Sequence, residues 1–212
     1  MTGTTLELVL ARRLIPVVVL KTAEAALPLA QALAAGGLPV AEVTFRTAAA
    51  VDTIRLVASE TDLLVGAGTI VRPDQVDAAV EAGARFVVMP GFSASVVRRC
   101  AELEVPVIPG VATASEVIAA LDHGLSVLKL FPAEAVGGIP LLESLAGPFP
   151  DVRFVPTGGV SATNMSAYLA LANVAAVGGS WMVASELVAA GDFDTIERLT
   201  TEAVARAEEV AP

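Results

Sequence analysis

Lysine is scarce in this sequence: Lys21 and Lys129 are the only two among 13 basic residues, so lysine is not the general surface cation here. Lys129 lies inside Val127-Leu128-Lys129-Leu130-Phe131-Pro132, an apolar run that offers its charge no acidic neighbour before Glu134. Burial disfavours an ammonium ion and favours the neutral amine that can attack a carbonyl carbon and form a Schiff base. Lys129 is therefore a candidate nucleophile. The competing reading is a structural lysine that buries its stem and carries its charge to water or a partner. Lys21 directly follows a predicted strand and reads as a solvated strand-end charge.

A second constellation lies in Ala41-Glu42-Val43-Thr44-Phe45-Arg46-Thr47. In an extended chain successive side chains alternate, so Glu42, Thr44 and Arg46 point to one side. Glu42 is a candidate proton-transfer group. The planar fork of Arg46 suits capture of a carboxylate. A simpler alternative is that Glu42 and Arg46 pair only with each other. Three glycine-containing segments add backbone surface that a ligand can approach: Gly66-Ala67-Gly68-Thr69, Thr157-Gly158-Gly159-Val160 and Gly178-Gly179-Ser180. The last two bring N–H groups and the Ser180 hydroxyl to positions suited to a phosphate.

What is missing narrows the chemistry. His123 is the only histidine; it precedes Gly124 at a predicted helix end, where it reads as a partner for the terminal carbonyls. Neither a multi-histidine metal site nor a Ser-His-Asp set can be assembled, so no metal and no organic cofactor is expected. Cys100, the single cysteine, falls in an apolar helical pattern and reads as a buried, inert thiol in a reducing compartment. The formal net charge of −10, with scattered arginines, opposes binding to nucleic acid or to anionic membranes. With no membrane-length apolar run and no basic leader pattern, the expected setting is the cytoplasm and the expected partner a small-molecule substrate.

These residues need a scaffold that gathers distant strand ends. Short Val/Ile/Leu-rich runs recur at 15–20, 40–45, 63–68, 86–89, 105–109, 127–131, 154–157 and 174–177, each followed by a longer Ala-rich stretch with helical spacing. Uninterrupted apolar strands alternating with helices imply a parallel sheet covered on both faces. Eight similar units without a helix-opening GxGxxG favour a (β/α)8 TIM barrel over an open sheet, with chemistry at the strand C-termini. The expected architecture is one α/β domain over residues 1–212 with an additional N-terminal helix.

The ordered set of motifs resembles the 2-keto-3-deoxy-6-phosphogluconate (KDPG) aldolase family of the Entner–Doudoroff route, which includes bifunctional 4-hydroxy-2-oxoglutarate (KHG) aldolases. The segments that carry the resemblance start at Glu42 (Glu-Val-Thr-Phe-Arg-Thr), Gly66 (Gly-Ala-Gly-Thr), Pro90 (Pro-Gly), Ile108 (Ile-Pro-Gly), Leu128 (Leu-Lys-Leu-Phe-Pro-Ala-Glu), Gly147 (Gly-Pro-Phe-Pro), Pro156 (Pro-Thr-Gly-Gly-Val) and Gly178 (Gly-Gly-Ser-Trp). The resemblance implies a class I aldolase in which Lys129 forms the imine and Glu42 moves protons. It further implies that Arg46 and Thr69 hold the pyruvate carboxylate, that Phe131 and Pro90 pack on the substrate, and that Gly158, Gly159, Gly179 and Ser180 bind the phosphate. It implies a homotrimer, which would account for an apolar content of 55%. Met89 departs from the pattern, where the family commonly has serine. Rival readings are a phosphate-binding isomerase or synthase on the same fold and a barrel that only binds a sugar acid phosphate. Within the aldolase reading, the 6-phosphogalactonate epimer and KHG are alternative substrates.

Overall fold

A computed structural model of the chain describes residues 4–210; residues 1–3 and 211–212 of the domain expected from the sequence lie outside the described residues. The fold is α/β, with a parallel sheet that curls in the manner of a TIM barrel. Nine strands carry it: β1 (Leu14–Val18), β2 (Val40–Thr44), β3 (Leu64–Gly68), β4 (Val87–Val88), β5 (Val107–Ile108), β6 (Gly110–Val111), β7 (Val127–Leu130), β8 (Arg153–Phe154) and β9 (Val177–Gly179). Ten helices alternate with them: α1 (Thr5–Leu10), α2 (Ala26–Ala35), α3 (Ala50–Glu60), α4 (Pro73–Glu81), α5 (Ala94–Glu102), α6 (Ala114–Leu121), α7 (Gly138–Ala146), α8 (Met165–Leu169), α9 (Ser185–Ala190) and α10 (Phe193–Glu209). α1 is the additional N-terminal helix expected from the sequence. It is closed by a capping box in which the Thr4 hydroxyl accepts from the Glu7 N–H and the Glu7 carboxylate accepts from the Thr4 N–H.

All strand pairs are parallel. One sheet runs β5-β4-β3-β2-β1-β9 and the other β6-β7-β8. Isolated parallel bridges join Phe154 to Val174 and Thr157 to Gly178, so the chain around β8 reaches the chain around β9. β5 and β6 are separated only by Pro109, which has no N–H to give to a ladder.

Three expected boundaries move. The run 105–109 is split, with β6 continuing beyond Pro109. The run 154–157 keeps a regular ladder only at its first residue, although Thr157 still bridges Gly178. The run 174–177 yields its ladder at Val177–Gly179, so Gly178 and Gly179 belong to the strand, pairing with Ile15 and Pro16, and do not follow it as a loop. Glycine carries no apolar signal, so a strand made of it is invisible to hydrophobic patterning.

β1 and β2 are buried along their whole length, and β2 carries a carboxylate, Glu42, into that environment at 2% exposure. A buried charge needs a partner, and its identity defines the site.

Candidate active site

The partner is Lys129. Its Nζ lies 3.1 Å from Glu42 Oε1 and 3.3 Å from Oε2, across 87 residues of sequence. Both side chains are almost sealed from solvent, at 6% and 3% exposure. β2 and β7 are not neighbours in either sheet, so the two side chains meet across the interior. The alternative in which Glu42 and Arg46 pair only with each other is excluded by this contact, and Lys129 is not the partnerless charge that its local sequence presents. The Phe131 ring lies 5.4 Å from Nζ, within cation–π range.

Small residues make room for the pair. On β3, a Cβ at Gly68 would sit 2.2 Å from Glu42 Oε1, and one at Gly66 would sit 2.4 Å from the Phe86 ring. From the sequence this glycine segment is expected to be backbone that a ligand can approach. In the fold the two glycines instead admit protein side chains, Phe86 below and the Glu42 carboxylate above. Gly110 is the register partner of Lys129 and lies against the Pro90 backbone, where a Cβ would come within 2.3 Å of its carbonyl carbon.

Phe131 connects the pair to a cleft of about 410 Å³, lined by Val17, Arg46, Phe131, Gly159, Ser180 and Glu186 among others; Lys129 and Glu42 themselves lie behind this lining and are not part of it. Gly158 and Gly179 line the cleft too. Arg46 stands two residues beyond the end of β2, exposed, and among the described residues it forms no ion pair. Thr44 does not join a shared polar surface with Glu42 and Arg46: its hydroxyl donates to the Val18 carbonyl at 2.9 Å. Gly158 and Gly159 have φ of +97° and +84°, which glycine adopts without strain. Their N–H groups donate to no protein acceptor among the described residues.

Thr69 and Pro90 fall outside the residues that line the cleft. Thr69 is half-buried just beyond β3 with φ +59°, a left-handed conformation that costs a β-branched residue about 1–3 kcal/mol. Met89 is buried at 1% exposure, so its thioether fills core space beneath the Pro90-Gly91 turn.

Sequence reasoning did not single out three further residues. Thr157 lines the cleft at the start of the glycine turn and is buried. Trp181, the only tryptophan, also lines it and covers Gly179, where a Cβ would lie 1.8 Å from the ring; a unique aromatic beside Gly178-Gly179-Ser180 is a signal that could have found it. The third is Tyr168, fully buried on α8, whose hydroxyl donates to Glu134. Burial and that carboxylate push its phenol above the usual tyrosine range. Two other readings hold: His123 Nδ1 lies 2.9 Å from the Ala119 carbonyl at the end of α6, and Cys100 is buried on α5, which pushes its thiol up to about 12.

A buried amine sharing a proton-sized gap with a carboxylate, beside an open cleft, is equipped for imine chemistry. The comparisons agree with that chemistry. Residues 7–199 match the family described as "Aldolase: KDPG and KHG aldolase". A KHG/KDPG aldolase of Escherichia coli (strain K12) is 48% identical over 191 residues, 90% of each chain. Two crystal structures are similar throughout. The KDPG aldolase of Legionella pneumophila, with pyruvate captured at low pH as a covalent carbinolamine intermediate, has a TM-score of 0.90 at 44% identity, covering 94% of this chain and 97% of that one. The 2-keto-3-deoxy-6-phosphogluconate aldolase of Zymomonas mobilis ZM4, with 3-phosphoglycerate, has a TM-score of 0.86 at 41% identity, covering 91% of each. The chain belongs to the KDPG and KHG aldolase family.

Proposed function

We propose that this protein is a class I aldolase that cleaves 2-keto-3-deoxy-6-phosphogluconate to pyruvate and D-glyceraldehyde 3-phosphate, with Lys129 as the imine-forming nucleophile. The observation that carries this reading is the buried Lys129–Glu42 contact, joined through Phe131 to a cleft that holds Arg46 and two glycine N–H groups without a protein acceptor among the described residues.

Glu42 accepts a proton from the Lys129 ammonium, and the neutral amine adds to the C2 ketone. Glu42 protonates the alkoxide of the adduct and takes a proton from its nitrogen to give the neutral carbinolamine, then delivers that proton to the carbinolamine hydroxyl; water leaves, and a protonated imine remains as an electron sink. Glu42, again a carboxylate, takes the proton of the C4 hydroxyl; the C3–C4 electrons flow into the imine, and the aldehyde departs from the enamine. Protonation of the enamine carbon by Glu42 and addition of water then release pyruvate and restore the lysine. Arg46 and Thr69 hold the carboxylate of the keto acid, Phe131 and Pro90 pack along the carbon chain, and Gly158, Gly159, Gly179 and Ser180 take the phosphate. For Thr69 and Pro90, which lie outside the cleft lining, the support is the family resemblance.

Borohydride added with pyruvate should fix a stable adduct on Lys129, located by peptide mass mapping; turnover without any such adduct would remove the lysine from this role. Side-by-side kinetics with the gluconate and galactonate epimers and with KHG rank the substrates.

The finer architecture belongs to the same proposal. The Phe154–Val174 and Thr157–Gly178 bridges, with β5 and β6 taken as one strand bent at Pro109, support a closed (β/α)8 barrel in one domain over residues 1–212. A homotrimer should show a solution mass near three times 21.5 kDa by light scattering. The unpaired buried thiol of Cys100 suits a cytoplasmic setting.

A further inference from the structure

Behind the glycine turn that suits a phosphate, outside the residues that line the cleft, sits a carboxylate that the mechanism does not use. Glu134 follows β7 and is gripped by the glycine turn. Its N–H donates to the Gly158 carbonyl at 3.1 Å, and the N–H of Ala133 donates to the Thr157 carbonyl at 2.8 Å. The Asn164 amide donates to the Gly159 carbonyl at 3.1 Å. Three successive carbonyls are thus engaged, while the Gly158 and Gly159 N–H groups have no protein acceptor among the described residues. The Glu134 stem lies directly on Gly159: a Cβ there would fall 2.7 Å from Glu134 Cβ, 2.3 Å from Cγ and 3.8 Å from Cδ. The carboxylate is thus carried on a stem packed against one of the two residues whose N–H groups suit a phosphate.

A carboxylate swung toward that turn would repel a phosphate held there. The only hydrogen-bond partner of the Glu134 carboxylate among the described residues is the Tyr168 hydroxyl. Tyr168 is fully buried on α8, and its hydroxyl sits against Gly138, 2.9 Å from where a Cβ would be. A buried hydroxyl left without a partner is costly, so this contact holds the carboxylate turned away from the cleft.

Resting on the aldolase reading for the identity of the substrate, we propose that Glu134 and Tyr168 form a positioning pair that sets affinity for the phosphate group: Tyr168 withdraws the Glu134 charge from the cradle while the Glu134 stem and N–H fix the glycine turn. Neither residue touches the reacting atoms.

The test compares the parent, Tyr168→Phe, Glu134→Gln and the double variant. Binding of inorganic phosphate is measured by calorimetry, KM and kcat with the phosphorylated keto acid, and the pyruvate concentration giving half-maximal inactivation by borohydride. Tyr168→Phe keeps the buried ring but frees the carboxylate, and should weaken phosphate binding and raise KM about 10-fold, equivalent to ~1.4 kcal/mol. Half-inactivation by pyruvate, which has no phosphate, should stay within about two-fold, because ~0.4 kcal/mol is the size of an incidental change. Glu134→Gln should bind phosphate no more weakly than the parent. In the double variant the freed group is a neutral amide, so phosphate affinity should return most of the way, a recovery that a purely structural role for Tyr168 would not give.

The proposal is overturned if Tyr168→Phe leaves phosphate binding unchanged, if pyruvate and phosphate affinities fall together, or if the double variant shows no recovery. Absence of a pyruvate adduct in the parent would instead overturn the aldolase reading, and the calorimetric arm would still decide the role of the pair.

Discussion

Replacing Glu42 by glutamine removes one charge from the buried pair and leaves its shape nearly intact. At 3.1 Å and an effective dielectric of about 20, the attraction between unit charges is about 5 kcal/mol. Solvent cannot screen much of it, because both side chains are almost fully buried. The glutamine oxygen still accepts from the ammonium, which returns about 1–2 kcal/mol. The expected destabilisation is about 3–4 kcal/mol, in line with the cost of breaking a buried pair from one side. Urea denaturation at pH 7 measures it. Adding Lys129→Met removes the stranded charge, so Glu42→Gln/Lys129→Met should be more stable than Glu42→Gln alone by about 3 kcal/mol. Turnover should fall by about 10²–10⁴ in Glu42→Gln, the usual worth of a positioned proton carrier. The reasoning fails if Glu42→Gln lies within about 1 kcal/mol of the parent, or if the methionine adds to the loss, since either result means that the charges are not coupled in the interior.

The remaining predictions use other parts of the fold. Gly68→Ala places a Cβ 2.2 Å from Glu42 Oε1, so the carboxylate must leave Lys129; a stability loss of about 1–3 kcal/mol in thermal melts should accompany a fall in kcat. Thr53 has a buried hydroxyl without a protein hydrogen-bond partner among the described residues and lines a cavity of about 10 Å³ with Val18, Leu33, Val43 and Val65. Thr53→Val should therefore raise the urea midpoint, by about 1 kcal/mol in stability. Cys100 has its folded-state pKa pushed from 9.0 up to about 12 by burial, so the unfolded chain loses its thiol proton first. That contribution is intact below pH 9 and is lost as pH rises from there, at up to about 1.4 kcal/mol per pH unit. Urea midpoints at pH 8 and pH 10 should fall more steeply for the parent than for Cys100→Ala, and equal slopes would contradict the assignment.

The alternation of apolar runs and helices was legible because each strand is buried on both faces and so writes itself as a block of Val, Ile and Leu. Lys129 and Glu42 were legible for the opposite reason, as charges inside such blocks. Their contact was not, because local sequence does not say which strands face each other across a curled sheet. The ends of the ladder were also hidden. β9 is Val177–Gly179, and two of its three residues are glycines that carry no hydrophobic signal. The glycines of β3 illustrate a subtler loss: Gly66 and Gly68 announced close approach, but only coordinates show that the approaching groups are Phe86 and Glu42. Tyr168 lies in a helix of five residues with no diagnostic spacing, and Glu134, although it ends the Leu128 motif, opens a short 3-10 helix (Glu134–Val136) whose sequence does not say that the two side chains meet.

The geometry also explains why a costly arrangement is kept. A buried ion pair is weak evidence for stability, because well-packed apolar residues of similar volume commonly do as well or better. Here a neighbouring residue has been cut back to accommodate it: Gly68 gives up a side chain to the carboxylate. That glycine forgoes apolar burial that alanine or valine would supply, at about 0.8 kcal/mol per buried methylene. A sequence selected for stability alone would fill that space. One in which a proton must pass between two side chains before a ketone can be attacked needs the amine and carboxylate in contact and desolvated; the sacrifice at Gly68 is what leaves room for the carboxylate to reach the amine.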